Sequence, residues 1–308
     1  MSSNNIEEDV TTLQAIQIAD DDPGSPLLPA DRLEDITYTM EEEEARSFYK
    51  YYKEEPKSKR RKRKFVHGAL YDSLFLGYFE VDHQMMGNVD LVINDANTRS
   101  ISNMKIRSAA GDESLMARVV ELGDSMPKKG NCRGDVGDIG DMFAVGYKSK
   151  ARKEIYKPTK NAATKQAMIH LSKEVVPFLR MHYQDVLSDI QRAEQAGAKA
   201  PALLEMGGVD GPGSSIMLSR NLGNSSHFDN SDGSNSCSIW AEKNVGMATN
   251  WFFVLPNMSI NGSKGVVIKL RHGVSISWDG RVVRHCSSVT AVGETNDVYG
   301  CMFGSCRG

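Results

Sequence analysis

Hydrophobic and polar positions change their rhythm twice along the chain. Up to residue 64 there is no period. Residues 1–45 are acidic and turn-rich, with "DDDPGSPLLPAD" and "EEEE" at 41–44. Such a segment cannot bury enough apolar surface to offset its ordering entropy, which predicts a disordered tail over residues 1–64. From residue 65 the pattern turns globular. "FVHGALYDSLFLGYFEVDH" (65–83) mixes aromatic and aliphatic residues as a first packed segment. "ESLMARVVELGDS" (113–125) carries an apolar stripe and a glycine stop, the mark of a short helix. "GNCRGDVGDIGDMFAVGYKS" (130–149) reads as turns leading into a short strand.

Residues 161–200 carry the longest helical pattern. Ile169, Val175, Val176, Leu179, Met181, Val186, Leu187 and Ile190 recur near helical spacing, and Pro177 is expected to kink the helix or split it. From residue 214 the pattern becomes one of short strands: "SSIMLS", "SCSIWAE", "TNWFFVLP", "GVVIKLRHG", "VSISWDG", "RVVRHCSSV" and "VYGCMF", bounded by Gly, Asn, Asp and Pro. Helices followed by strands predict an α+β fold whose strands close into a sandwich or barrel. The expected partition is a tail over 1–64 and one domain over 65–308. Within that domain a helical part covers about 65–200 and a β core about 205–305.

Composition modifies this picture in three places. The chain has 308 residues, 40% of them hydrophobic and 25% charged, which suits a folded core. Its net charge of −3 hides the run "KSKRRKRK" at 57–64, in which seven of eight residues are basic. That run predicts nuclear localisation or contact with nucleic acid. The five cysteines are odd in number and form no CxxC pair, which argues against a zinc ribbon or a disulfide framework. The start "MSSNNIEEDVTTLQ" has neither the basic nor the apolar part of a signal peptide, and no run approaches the ~18 apolar residues of a membrane span. The expectation is an intracellular protein with reduced thiols and no membrane partner.

The candidate chemistry lies in "SSHFDNSDGSNSCSIW" (225–240). On a β scaffold His227 and Asp229, two apart, point to the same face. Two histidines and a carboxylate on one side of a metal hold Fe(II) and leave three positions open. The distant histidine would come from "GVVIKLRHGVSISWDGRVVRHCSSV", which offers His272 and His285. The residues alone also permit a polar loop histidine and an unrelated strand-end histidine. Cys237 and Cys286 are expected to be buried small hydrophobes, and Trp240, Trp251 and Phe253 to be core aromatics.

"HFD" followed by a histidine after "SWDGRVVR" resembles the double-stranded β-helix (jelly-roll) Fe(II)/2-oxoglutarate dioxygenases, over roughly residues 160–305. The context is most similar to the TET/JBP group, which oxidises methylated pyrimidines in nucleic acid and includes algal relatives that use ascorbate. The resemblance implies a jelly-roll core with Fe(II) on His227, Asp229 and His285, and DNA or RNA as partner. Asp232 stands where the ascorbate-using branch carries an additional active-site acid. The family usually places a basic residue on its last strand to grip 2-oxoglutarate, but "CSSVTAVGETNDVYGCMFGSC" has none before Arg307. Lys269, Arg271, Arg281 and Arg284 are the expected substitutes; otherwise ascorbate is the co-substrate. The competing expectation is a non-catalytic β-fold protein associated with nucleic acid, derived from a mobile element.

Overall fold

The computed structural model describes residues 10–17, 66–67, 77–94, 97, 99–127, 139–146, 161–195, 207–213, 215–223, 227–229, 235–246, 251–289 and 297–304. The acidic run 41–44, the basic run 57–64 and Asp232 lie outside the described residues. The strands are β1 Val10–Gln17, β2 Val66–His67, β3 Phe79–Val81, β4 Asn88–Asn94, β5 Ser100–Ser108, β6 Ile139–Gly146 and β7 Ser215–Gly223. They continue with β8 Ser236–Glu242, β9 Phe252–Leu255, β10 Met258–Ser259, β11 Val266–Lys269, β12 Val274–Trp278, β13 Cys286–Val289 and β14 Val298–Gly304. The helices are α1 His83–Met86, α2 Glu113–Asp124, α3 Ala162–His182 and α4 Gln184–Gln195.

Among the described residues the strands form two sheets. Nine run in the order β10-β1-β4-β5-β12-β8-β14-β7-β6 and five in the order β2-β13-β9-β11-β3. Strand alternation then builds three layers. On β8, Cys237, Ile239 and Ala241 face a core shared with α2, α3 and α4, while Trp240 faces a second core between the sheets. On β14, Tyr299, Cys301 and Phe303 join the helical side and Val298 the other. The inter-sheet core takes Leu91, Ile106, Ile276 and Trp278 from the larger sheet and Phe253, Leu255, Val266 and Ile268 from the smaller. The fold is therefore α+β: helices, a large sheet and a small sheet in successive layers. All seven residues of β8 are buried because both its faces are covered.

Local chemistry sets the helix ends. Asp112 caps α2 by accepting from the Leu115 amide at 2.9 Å, and Asn161 caps α3 by accepting from the Thr164 amide at 3.1 Å. A Cβ on Gly123 would lie 2.6 Å from the Tyr299 ring, so this glycine lets α2 settle against β14.

Three expectations change. Val10–Gln17, assigned above to the disordered tail, is a strand paired in parallel with β4 and antiparallel with β10. Its "VTTLQAIQ" places Ala15 and Leu13 on the inter-sheet core, a short alternation masked by the acidic residues around it. The stretch expected to be helical over 65–200 also supplies β2 to β6, because α2 to α4 pack on a sheet whose other strands come partly from the same segment. Helix α3 runs through Pro177 without splitting there; the break falls at Tyr183, whose amide still donates to Leu179 O at 2.7 Å. Among the described residues no helix is long and apolar enough to cross a membrane.

Tyr183 explains why the chain breaks there. Its ring is fully buried, and its hydroxyl meets the Ser275 carbonyl at 2.9 Å and the Ser275 Oγ at 2.8 Å. This pins the helical layer to β12, the strand that leads to the site below. Tyr183→Phe should cost roughly 1–3 kcal/mol by leaving buried acceptors unmet. Urea denaturation should show this as a lower midpoint with an unchanged slope.

Candidate metal centre

The centre begins with backbone pairing. The His227 amide donates to His285 O at 3.0 Å, and the His285 amide donates to His227 O at 3.1 Å, an isolated antiparallel bridge. Residues that exchange both bonds sit directly opposite with side chains on one face. The imidazole centroids accordingly lie 4.7 Å apart. Two residues on, the Asp229 amide donates to Gly280 O at 2.7 Å. Gly280 belongs to a turn in which the Val283 amide returns to Asp279 O at 2.9 Å and the Asp279 carboxylate accepts from the Arg281 amide at 3.0 Å. A Cβ on Gly280 would stand 2.7 Å from both Cβ and Oδ2 of Asp229. The glycine is the floor against which the carboxylate rests.

His227, Asp229 and His285 thus offer ligand atoms that all lie within 4.8 Å of one another. Asp229 Oδ1 is 3.4 Å from His227 Nε2, and its Oδ2 is 3.2 Å from His285 Nε2. His285 Nδ1 lies 2.9 Å from the Val283 carbonyl, which can only accept, so Nδ1 carries a proton. A neutral His285 then turns its Nε2 lone pair toward a carboxylate oxygen. Two lone pairs facing one another need a cation between them, either a proton or a metal. Charge-assisted N–H···O contacts close to ~2.7–2.9 Å. The observed separations are wider and near the ~3 Å expected for adjacent donors with bonds of ~2.1 Å to one ion. Burial pushes the Asp229 carboxyl up, but hydrogen bonds and charge from the two histidines outweigh it and hold the group well below the usual carboxylate range.

Aromatic packing fixes His285, which is 4% exposed. Phe253 stacks on it at 5.3 Å with an interplanar angle of 17°, and Trp278 meets it edge-on at 5.3 Å and 64°. With its hydrogen bond to Val283, the ring is held on three sides. Sequence reasoning had missed Gly280 as the carboxylate's floor and Trp278 as a neighbour of His285. The turn signal "WDG" was visible, but which side chain it would touch was not.

The remaining predicted residues fall elsewhere. His272 accepts from the Glu242 amide at 3.1 Å and stands outside the cluster. Lys269 pairs with Phe252 on β9, the face opposite to Phe253, so alternation turns it away from His285 and removes it as a co-substrate anchor in this arrangement. Arg281 is engaged by Asp279 through its Nε at 2.7 Å and a terminal nitrogen at 2.6 Å. Arg271 binds the buried Asp82 carboxylate at 2.6 Å. Arg284 lies over the Phe228 ring at 5.9 Å, beside the centre rather than in it. Cys286 faces away from His285, and burial pushes its thiol up to about 12. It and Cys237 are buried free thiols, as expected.

No family model and no curated protein matches the chain. Among solved structures it is similar to NgTET1 in complex with 5mC DNA, at 8% identity over 70% of this chain and 76% of that one, with a TM-score of 0.45. It is similar to an oxidoreductase of the 2OG-Fe(II) oxygenase family from Burkholderia pseudomallei, at 13% identity over 73% and 89% of the two chains, with a TM-score of 0.32. It is also similar to JOX2 in complex with 2OG, Fe and JA, at 9% identity over 74% of each chain, with a TM-score of 0.33. Scores of this size reflect partial agreement in chain path, and the chemical reading rests on the side chains.

Gly280→Ala should displace Asp229 and weaken divalent-metal binding about 10–100-fold, the range seen when support behind a ligand is lost. His272→Ala should leave binding unchanged. Anaerobic equilibrium dialysis against Fe(II), read as metal bound per chain, checks both.

Proposed function

We propose that the protein is an Fe(II)-dependent dioxygenase whose metal is held by His227, Asp229 and His285. One observation carries this reading: three side chains from two distant segments, His227 and Asp229 on one and His285 on the other, turn their ligand atoms to one point, at separations that suit a shared ion. The donor set fits the metal. Two imidazoles and one carboxylate suit Fe(II), which so held offers three positions to a bidentate reducing co-substrate and dioxygen. The residues do the rest. Val283 O sets the His285 tautomer, Gly280 seats the carboxylate, and Phe253 and Trp278 keep water from His285.

The topology supports a double-stranded β-helix as the scaffold. Consecutive segments cross between the sheets: β7 in the large one, the His227 bridge beside the small one, then β8, β9, β10, β11, β12, β13 and β14 alternating. This gives β7-β14-β8-β12 facing His227-β13-β9-β11, two four-stranded walls with the metal residues at one end.

The substrate class we propose is a methylated base in nucleic acid, with the nucleus as the site of action. It is supported by the residues that resemble the TET/JBP group and by the basic run 57–64. The co-substrate is 2-oxoglutarate or ascorbate. A 2-oxoglutarate molecule brings a second carboxylate, which needs a basic partner when buried. Arg271 and Arg281 are already occupied by Asp82 and Asp279, Lys269 turns away, and Arg284 lies over the Phe228 ring beside the centre, which favours ascorbate. Asp232 is the proposed hydrogen-bond acceptor for its hydroxyls.

Methylated duplex DNA incubated with Fe(II), O₂ and each co-substrate in turn should yield modified nucleosides, read by mass spectrometry. Ascorbate should support at least as much turnover as 2-oxoglutarate. His227→Ala should abolish product with either. Productive use of 2-oxoglutarate alone, with no effect of Asp232→Ala, would contradict the co-substrate assignment.

A further inference from the structure

Trp278 ends β12 and turns its ring, like Val274 and Ile276, into the core between the sheets, where it is 3% exposed. Two contacts fix the indole, Phe253 at 5.0 Å and His285 at 5.3 Å between ring centres. Its Nε1–H is fully buried and has no acceptor among the described residues. The indole nitrogen can only donate. Buried donors without partners are rare, and each calls for an explanation. By contrast, the buried Tyr183 hydroxyl has two contacts to Ser275 and the buried Arg107 guanidinium reaches Val89 O. A phenylalanine would supply an aromatic ring there without burying a donor.

We infer that Trp278 is a ligand-binding residue of the His227/Asp229/His285 centre, its indole N–H donating to an oxygen of the chelating co-substrate. The inference rests on the proposed metal site and extends it. The orphan donor belongs to the ring that packs edge-on against His285, a metal-ligand candidate, at 5.3 Å between ring centres. The chemistry recognised is a carboxylate or enolate oxygen, which 2-oxoglutarate and ascorbate both supply. The donor acts on binding and orientation and takes no part in bond making.

Trp278→Phe keeps an aromatic ring against Phe253 and His285 and deletes the donor, with a smaller ring in the core. Fe(II) affinity by anaerobic dialysis should stay at the wild-type value. The dissociation constant of 2-oxoglutarate or of ascorbate on the iron-loaded protein, measured by anaerobic calorimetry, should rise roughly tenfold or more, the effect of losing a hydrogen bond to a charged group. Trp278→Tyr, which keeps an aromatic ring with a displaced donor, should fall between. The probe whose affinity drops identifies the co-substrate. Unchanged affinity for both probes in a folded, iron-binding Trp278→Phe protein overturns the inference and leaves the metal site standing. Iron binding by the wild type with no binding of either probe also overturns it. Failure of the wild type to bind iron overturns both.

Discussion

The site depends on the double hydrogen bond between the backbones of His227 and His285. Neither side chain can choose its partner alone; one follows β7 and the other precedes β13, and the chain between them crosses the sandwich several times. Once each amide donates to the other's carbonyl, the imidazoles must lie on one face. Asp229 is then set by its amide bond to Gly280 O and by the absence of a side chain on that glycine. The cost of gathering polar groups in a largely buried place is met by making them complementary: a carboxylate held ionised by two imidazoles, one of them oriented by the Val283 carbonyl.

The layers hold that pairing in place. The large sheet is covered by α2 to α4 on one side and by the small sheet on the other, so its central strands are buried on both faces. Burial of this kind fixes register, because a slip of one residue would exchange Ile239 and Trp240 between two cores of different shape. Register in β12 sets where Trp278, Asp279 and Gly280 emerge, and register in β9 sets Phe253 against His285. The helical layer reaches the same strand through Tyr183 and Ser275. Support for the metal residues thus extends through every layer of the molecule.

Much of this was legible in the sequence, and the exceptions share a cause. Strands from residue 214 onward followed local turn residues, except that residues 281–284 of the expected strand "RVVRHCSSV" belong to the turn and the strand begins at Cys286. The pair His227 and Asp229 was visible as spacing, and His285 as the histidine after a turn-bearing strand. What could not be read was long-range. Val10–Gln17 is a strand only because β4 offers it an edge, and β2 to β6 join sheets completed by later segments. Pro177 fits inside α3, whereas the break at Tyr183 answers to a contact with Ser275 far along the chain. Lys269 and Arg271 stand close to the site in sequence, yet one is turned away by strand alternation and the other is held by Asp82.

The central claim is that one metal ion sits among His227, Asp229 and His285. X-ray absorption spectroscopy of the anaerobic Fe(II)-loaded protein tests it most directly. The account predicts a shell of nitrogen and oxygen donors near 2.1 Å, with the outer scattering of two imidazoles. Half of that imidazole scattering should be lost in His285→Ala, and none in His272→Ala. A spectrum of water and carboxylate oxygens without imidazole, or one that His285→Ala leaves unaltered, would contradict it.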